Sequence, residues 1–102
     1  MEKEIKPSVY IAMPCYDSVK INTMLSVIKL VEQFRYSGVK MGINTMKSPL
    51  IHQARNYLTS VFLTTEYQYL LFIDSDVEFE PDAVFRMLVA KKDIICTPYR
   101  VK

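Results

Sequence analysis

Tyr69-Leu-Leu-Phe-Ile-Asp-Ser-Asp-Val77 is the stretch on which the reading of the fold turns. Tyr69 to Ile73 is an unbroken apolar and aromatic run, and it gives way at once to Asp74 and Asp76. A run of that length suits a parallel strand covered on both faces. Ligands of open α/β sheets collect where such strands end at their carboxyl edge, so both carboxylates are expected at a functional rim. Side chains of an extended strand alternate with a period of two. Asp74 and Asp76 should therefore project to one side, with Ser75 pointing away, and hold one hard divalent cation, Mn2+ or Mg2+, against a diphosphate.

Outward from that strand the chain alternates. Val9 to Met13 reads as a short apolar strand stopping at Pro14, and Cys15-Tyr16-Asp17-Ser18 as a strand-to-helix loop on the same rim. From Lys20 to Tyr36, the residues Ile21, Met24, Leu25, Ile28, Val31 and Phe34 keep helical spacing, which predicts the sheet-facing side of a helix stopped by Ser37-Gly38. Val39 to Thr45 has strand character. Ser48-Pro49 reads as an N-cap followed by proline at the first helical position. In the helix to Leu63, the apolar face would be Leu50, Ala54, Leu58, Val61 and Phe62, leaving Gln53, Arg55 and Asn56 to other surroundings. Pro81 opens a third helix with Val84, Met87 and Leu88 as its stripe, and Lys91-Lys92 closes it. Asp93 to Thr97 reads as a last strand, and Pro98 is expected to end regular pairing before Tyr99-Arg-Val-Lys102. The resulting β-α-β-α-β-α-β order predicts a three-layer α/β/α sandwich around a mostly parallel, Rossmann-like sheet. Should the first and third strands be neighbours, the Pro14 to Asp17 loop and the Asp74 to Asp76 pair share one crevice.

Composition bounds the partners. Residues 1–102 are read as a single nucleotide-binding domain, short for a nucleotide-dependent enzyme, and a truncated parent is kept in view. Lys+Arg of 13 against Asp+Glu of 11 leaves a dispersed net charge of +2, which provides no electrostatic footprint for nucleic acid. No apolar run approaches the ~20 residues of a membrane span. The charged start Met1-Glu-Lys-Glu-Ile-Lys6 lacks a signal-peptide core, so a cytoplasmic location is expected. Cys15 and Cys96 show no metal-site spacing and are expected as reduced thiols.

Three segments taken together resemble the nucleotide-sugar-binding half of GT-A fold glycosyltransferases, above all family 2. These are Pro14-Cys15-Tyr16-Asp17 for a Pro-x-Tyr-Asn turn, Ala54-Arg55-Asn56 for an Ala-Arg-Asn triplet, and Asp74-Ser75-Asp76 with its apolar strand and the proline-started helix behind it. The resemblance spans nearly the whole chain. It implies a sugar donor carried on a nucleoside diphosphate, with Pro14, Tyr16 and Asp17 lining the nucleoside pocket and Arg55 near the base or diphosphate. It further implies Asp76 as direct ligand of the cation, Asp74 on the ribose or reaching the ion through water, and Ser75 within the same binding loop. Asp17 stands where relatives carry asparagine, and the acid that often reads the base after the second strand is replaced by Asn44-Thr45. The family's catalytic base comes from a later, acceptor-binding half, so no residue here is assigned that role. A missing C-terminal acceptor domain or a homo-oligomer would supply the remainder.

Blander assignments compete at each position. Glu78, Glu80 and Asp82 read as a solvated loop and a helix start. His52 reads as a surface residue, Tyr57, Tyr67, Tyr69 and Tyr99 as core-edge rings, and Met24, Met41, Met46 and Met87 as packing. Arg55 would serve equally well as the salt-bridge partner of an aspartate. The expected function is transfer of a sugar to an acceptor glycan or other hydroxyl. The alternative is a noncatalytic nucleotide-binding or assembly module. A phosphatase or receiver domain is disfavoured, because a dehalogenase-like phosphatase would carry its aspartates after the first strand and a receiver would add a later lysine in a different arrangement.

Overall fold

A computed structural model of the protein describes residues 7–15, 18–90 and 100–101. Its order is β1 (Ser8–Cys15), α1 (Ile21–Ser37), β2 (Lys40–Lys47), α2 (Ile51–Leu63), β3 (Tyr69–Phe72), β4 (Val77–Glu78), α3 (Pro81–Ala90) and β5 (Arg100–Val101). The expected strand at Asp93 to Thr97 lies outside the described residues, as do Tyr16, Asp17, Cys96 and Tyr99. No helix among the described residues is long and apolar enough to cross a membrane.

β1, β2 and β3 form a parallel sheet in the order β2-β1-β3. The chain steps from β1 to β2 in one direction and returns across β1 to reach β3. Crossovers of one hand taken in opposite directions put their helices on opposite faces. The core divides accordingly. Val9, Ile11 and Met13 face the layer of α1 and α3, packing with Val27, Leu30, Phe34 and Val84. Tyr10 and Ala12 face α2, packing with Leu58, Val61 and Phe62. This is the α/β sandwich expected, with β1 and β3 adjacent, although β1 rather than the Asp-bearing β3 is the central strand.

Buried polar groups on the α2 side are answered locally. Asn44 Nδ2 donates to the Tyr10 hydroxyl at 2.9 Å. Asn44 is therefore a mid-strand residue opposite Ala12, not part of the rim. Tyr67 lies so close over Gly42 that a Cβ there would sit 2.7 Å from its hydroxyl oxygen, which explains a glycine inside a strand.

Three expectations are corrected. Ser48 does not cap α2: its Oγ accepts the Leu50 amide at 3.1 Å in a local turn, and the helix starts at Ile51. Arg100–Val101, expected beyond regular pairing, forms an antiparallel bridge with Val77–Glu78. The buried side of α1 is Thr23, Ser26, Val27, Leu30 and Phe34, whereas Ile21, Met24, Leu25 and Ile28 are exposed. A helix with apolar residues on both sides offers two stripes of valid spacing, and spacing alone cannot choose. The choice follows from the small Ser26, whose hydroxyl accepts the Phe79 amide at 3.3 Å and lets the segment after the aspartates lie against the helix. The stop at Gly38 is as expected: its φ is 78°, and the Val39 amide reaches back to the Phe34 carbonyl.

The two faces of α1 separate by stability. Leu30→Ala should cost about 2–5 kcal/mol through transfer and cavity terms. Ile28→Ala, at a position 46% exposed, should stay within about 0.5 kcal/mol. Urea denaturation midpoints measure both, and the opposite order would restore the face read from spacing.

Candidate functional site

β1 continues through Pro14 to Cys15, and Pro14 is tolerated because of where its missing amide falls. In a parallel strand alternate residues address alternate neighbours. The Ala12 carbonyl accepts the Ile73 amide at 3.0 Å, so even-numbered residues of β1 face β3. The Cys15 carbonyl accepts the Ser48 amide at 2.9 Å, so odd-numbered residues face β2. The donor that would next answer β3 is the amide of residue 14, and proline has none. The Ile73 carbonyl therefore lacks the ladder donor it would meet next, and among the described residues the chain turns through Ser75 and Asp76 at the carboxyl edge.

That turn divides the aspartates. Asp74 keeps the phase of Leu70, on the α2 side, and meets Arg55 of α2, whose Nη2 lies 2.9 Å from its Oδ1. The side chains are 49% and 33% exposed, respectively. Asp76 instead lines a cleft of about 340 Å³ with Lys20, Ile21, Asn22 and Thr23 at the start of α1. The same-side projection expected of an extended run gives way to two different surroundings, because the strand ends at Phe72 and the chain turns at Ser75 and Asp76.

The start of α1 favours negative charge. Lys20 provides no side-chain cap, the first turn carries no acid, and the first intrahelical bond runs from the Met24 amide to the Lys20 carbonyl. The amides of Ile21, Asn22 and Thr23 precede that ladder, and the helix dipole adds its positive end. The Lys20 amide donates to the Ser75 carbonyl at 2.9 Å, fixing the aspartate turn to the helix.

The remaining expected residues fall as follows. Pro14 is fully buried, so its side chain is a packing element of β1, opposite Met46. Tyr16 and Asp17 lie outside the described residues. Ser75 sits in the turn, with its backbone bound to α1. His52 is exposed on α2, and Cys15 is a free, buried thiol. Lys20 and Ser26 escaped the sequence reading as site residues, and only Ser26 left a signal there: a small polar residue between apolar positions of a helix.

Compared with known families, residues 13–101 match the model of the Anp1 family. The chain belongs to the Anp1 family. This is a mannosyltransferase-related family of GT-A fold, which makes the protein glycosyltransferase-related; the match supports the GT-A resemblance and does not extend to family 2. Pro14, Ala54-Arg55-Asn56 and Asp74-Ser75-Asp76 lie within the matched span of the chain. No curated protein and no solved structure matched at the similarity required.

Because both partners are partly solvated, the Arg55–Asp74 pair should contribute little to stability. Asp74→Asn is expected to cost about 1 kcal/mol or less. The loss should shrink in 1 M salt, where the Debye length is about 3 Å. Denaturation at low and high salt tests this, and a large, salt-independent loss would give the pair a structural role instead.

Proposed function

We propose that this chain is the donor-binding part of a metal-dependent glycosyltransferase, which takes a sugar from a nucleoside diphosphate and delivers it to an acceptor hydroxyl. The observation that carries the reading is the Asp74-Ser75-Asp76 turn, set at the carboxyl edge between β1 and β3 with Asp76 in the cleft at the start of α1. Membership of the Anp1 family supports it independently.

The donor set suits a hard dication. Mg2+ and its like bind through one or two carboxylates and take their remaining oxygens from substrate phosphates and water. Asp76, with Asp74 nearby in sequence, offers that number, and no group of three or more His, Cys, Asp or Glu gathers among the described residues. When bound, Mn2+ or Mg2+ supplies positive charge to the diphosphate as it becomes the leaving group. The protein's own contributions are positional. Asp76 would hold the ion directly, Asp74 would serve the ribose or reach the ion through water, and Arg55 would present a planar pair of donors to the base or diphosphate. The first-turn amides of α1 and the positive end of its dipole favour the remaining negative charge. The family's relation to mannosyltransferases makes a mannosyl donor such as GDP-mannose the first to try, ahead of UDP-sugars.

Calorimetry with GDP-mannose and UDP-sugars, with and without Mn2+, measures donor binding. Asp76→Asn should abolish the Mn2+-dependent part while the circular dichroism spectrum stays native. Unchanged Mn2+-dependent affinity in that variant would remove Asp76 from the site. A product assay with the same donors follows, and binding without turnover would assign the chain to the noncatalytic binding module.

A further inference from the structure

Arg55 and Asp74 are held together on the α2 side of the sheet, while Asp76 lies in the cleft beside α1. The two carboxylates that a single cation would share are thus separately engaged. The guanidinium blocks one oxygen of Asp74 by a direct 2.9 Å contact. Arg55 is half-exposed, unlike the buried Ala54 and Leu58 of the same helix, so little packing fixes its head group. An exposed ion pair is weak and readily exchanged for a better partner. A diphosphate is such a partner, since its oxygens accept paired hydrogen bonds from a guanidinium and carry more charge than one carboxylate.

We propose that Arg55 is the counter-ion that keeps Asp74 out of the cation site until a diphosphate draws the guanidinium away. Arg55 is then a positioning residue for Asp74 in the empty protein and a ligand contact in the loaded one. Cation and diphosphate bind cooperatively in consequence, because the anion releases the second carboxylate to the ion. The proposal rests on the donor-binding reading above, which supplies the two ligands.

Equilibrium dialysis of Mn2+ against the full chain tests it, using wild type, Arg55→Gln, Asp74→Asn, Asp76→Asn and the Arg55→Gln/Asp74→Asn double variant. Native circular dichroism is checked for each. With Mn2+ alone, Arg55→Gln should retain the ion about two- to fivefold more tightly than wild type, the range that release of an exposed pair allows. Adding Asp74→Asn should remove that gain, which a merely through-space effect of the lost positive charge would not do. With inorganic pyrophosphate present the order should reverse, wild type holding Mn2+ more tightly than Arg55→Gln. Should Arg55→Gln fail to fold, Arg55→Lys makes the same comparison with a smaller gain, since it keeps the charge but loses the planar fork. No gain with Mn2+ alone, a gain that survives Asp74→Asn, or an unreversed order with pyrophosphate overturns the proposal. In those cases the donor-binding reading stands as long as Asp76→Asn abolishes retention. Absence of Mn2+ retention by the wild type in both conditions overturns both.

Discussion

The missing amide of Pro14 is the constraint from which the rim is built. β1 is bonded on both edges, and its even-numbered residues address β3. A proline at position 14 removes the donor that Ile73 would meet next. Pairing with β2 is untouched, because Cys15 addresses that side and continues to the Ser48 amide. One edge of the central strand therefore stops before the other, and the gap lies between the ends of β1 and β3, where an open α/β sheet places its ligand crevice. Had β3 stayed in register for four residues beyond Phe72, Asp74 and Asp76 would be ladder residues sharing one face. Ending it at Ile73 frees the backbone to turn and sends each carboxylate to a different helix.

The turn then needs an anchor, and α1 supplies it at both ends. The Lys20 amide holds the Ser75 carbonyl, and the Ser26 hydroxyl holds the Phe79 amide three residues beyond Asp76. Between them Val77 is buried in the core shared by α1 and α3. Both anchors demand close approach, which small Thr23 and Ser26 permit and the bulkier Met24, Leu25 and Ile28 would prevent. The rotation of α1 about its axis is therefore set by the segment that carries the site as much as by hydrophobic burial. Polar contacts of this kind add little net energy, yet an unmet buried amide costs more than the bond returns, so they select geometry.

The parts of this architecture legible in the sequence are those governed by one dominant period. β1 and the Gly38 stop announce themselves because burial and backbone preference agree there, and the body of α2 does so through the spacing of Ala54 and Leu58. The Asp-bearing run announces its position at the strand end for the same reason. α1 misled because two apolar stripes compete, and the deciding contacts come from residues about fifty positions away. Ser48-Pro49 misled because serine before proline satisfies a local turn as readily as a helix start. The pairing of Val77–Glu78 with Arg100–Val101 is a long-range choice over two residues, too short for any periodic pattern. The Arg55–Asp74 contact was foreseeable as one of two options but not selectable, since a guanidinium at that place suits a carboxylate and a phosphate alike.

Charge balance ties these pieces to binding. Among the described residues, the crevice is flanked by Asp74, Asp76, the Arg55 guanidinium, Lys20 and the positive end of α1. Arg55 offsets Asp74, and the start of α1 is opposed by Asp76, so the rim is close to neutral without a ligand. A diphosphate alone would bring negative charge beside Asp76, and a dication alone would face the dipole of α1 and the guanidinium. Together they cancel, and each meets the group of opposite sign already in place. At separations of a few ångströms such interactions strengthen severalfold as water leaves, so a mismatched ligand would meet its greatest penalty in the closed, dry state. A rim of this composition favours the ion and the anion as a pair over either one by itself.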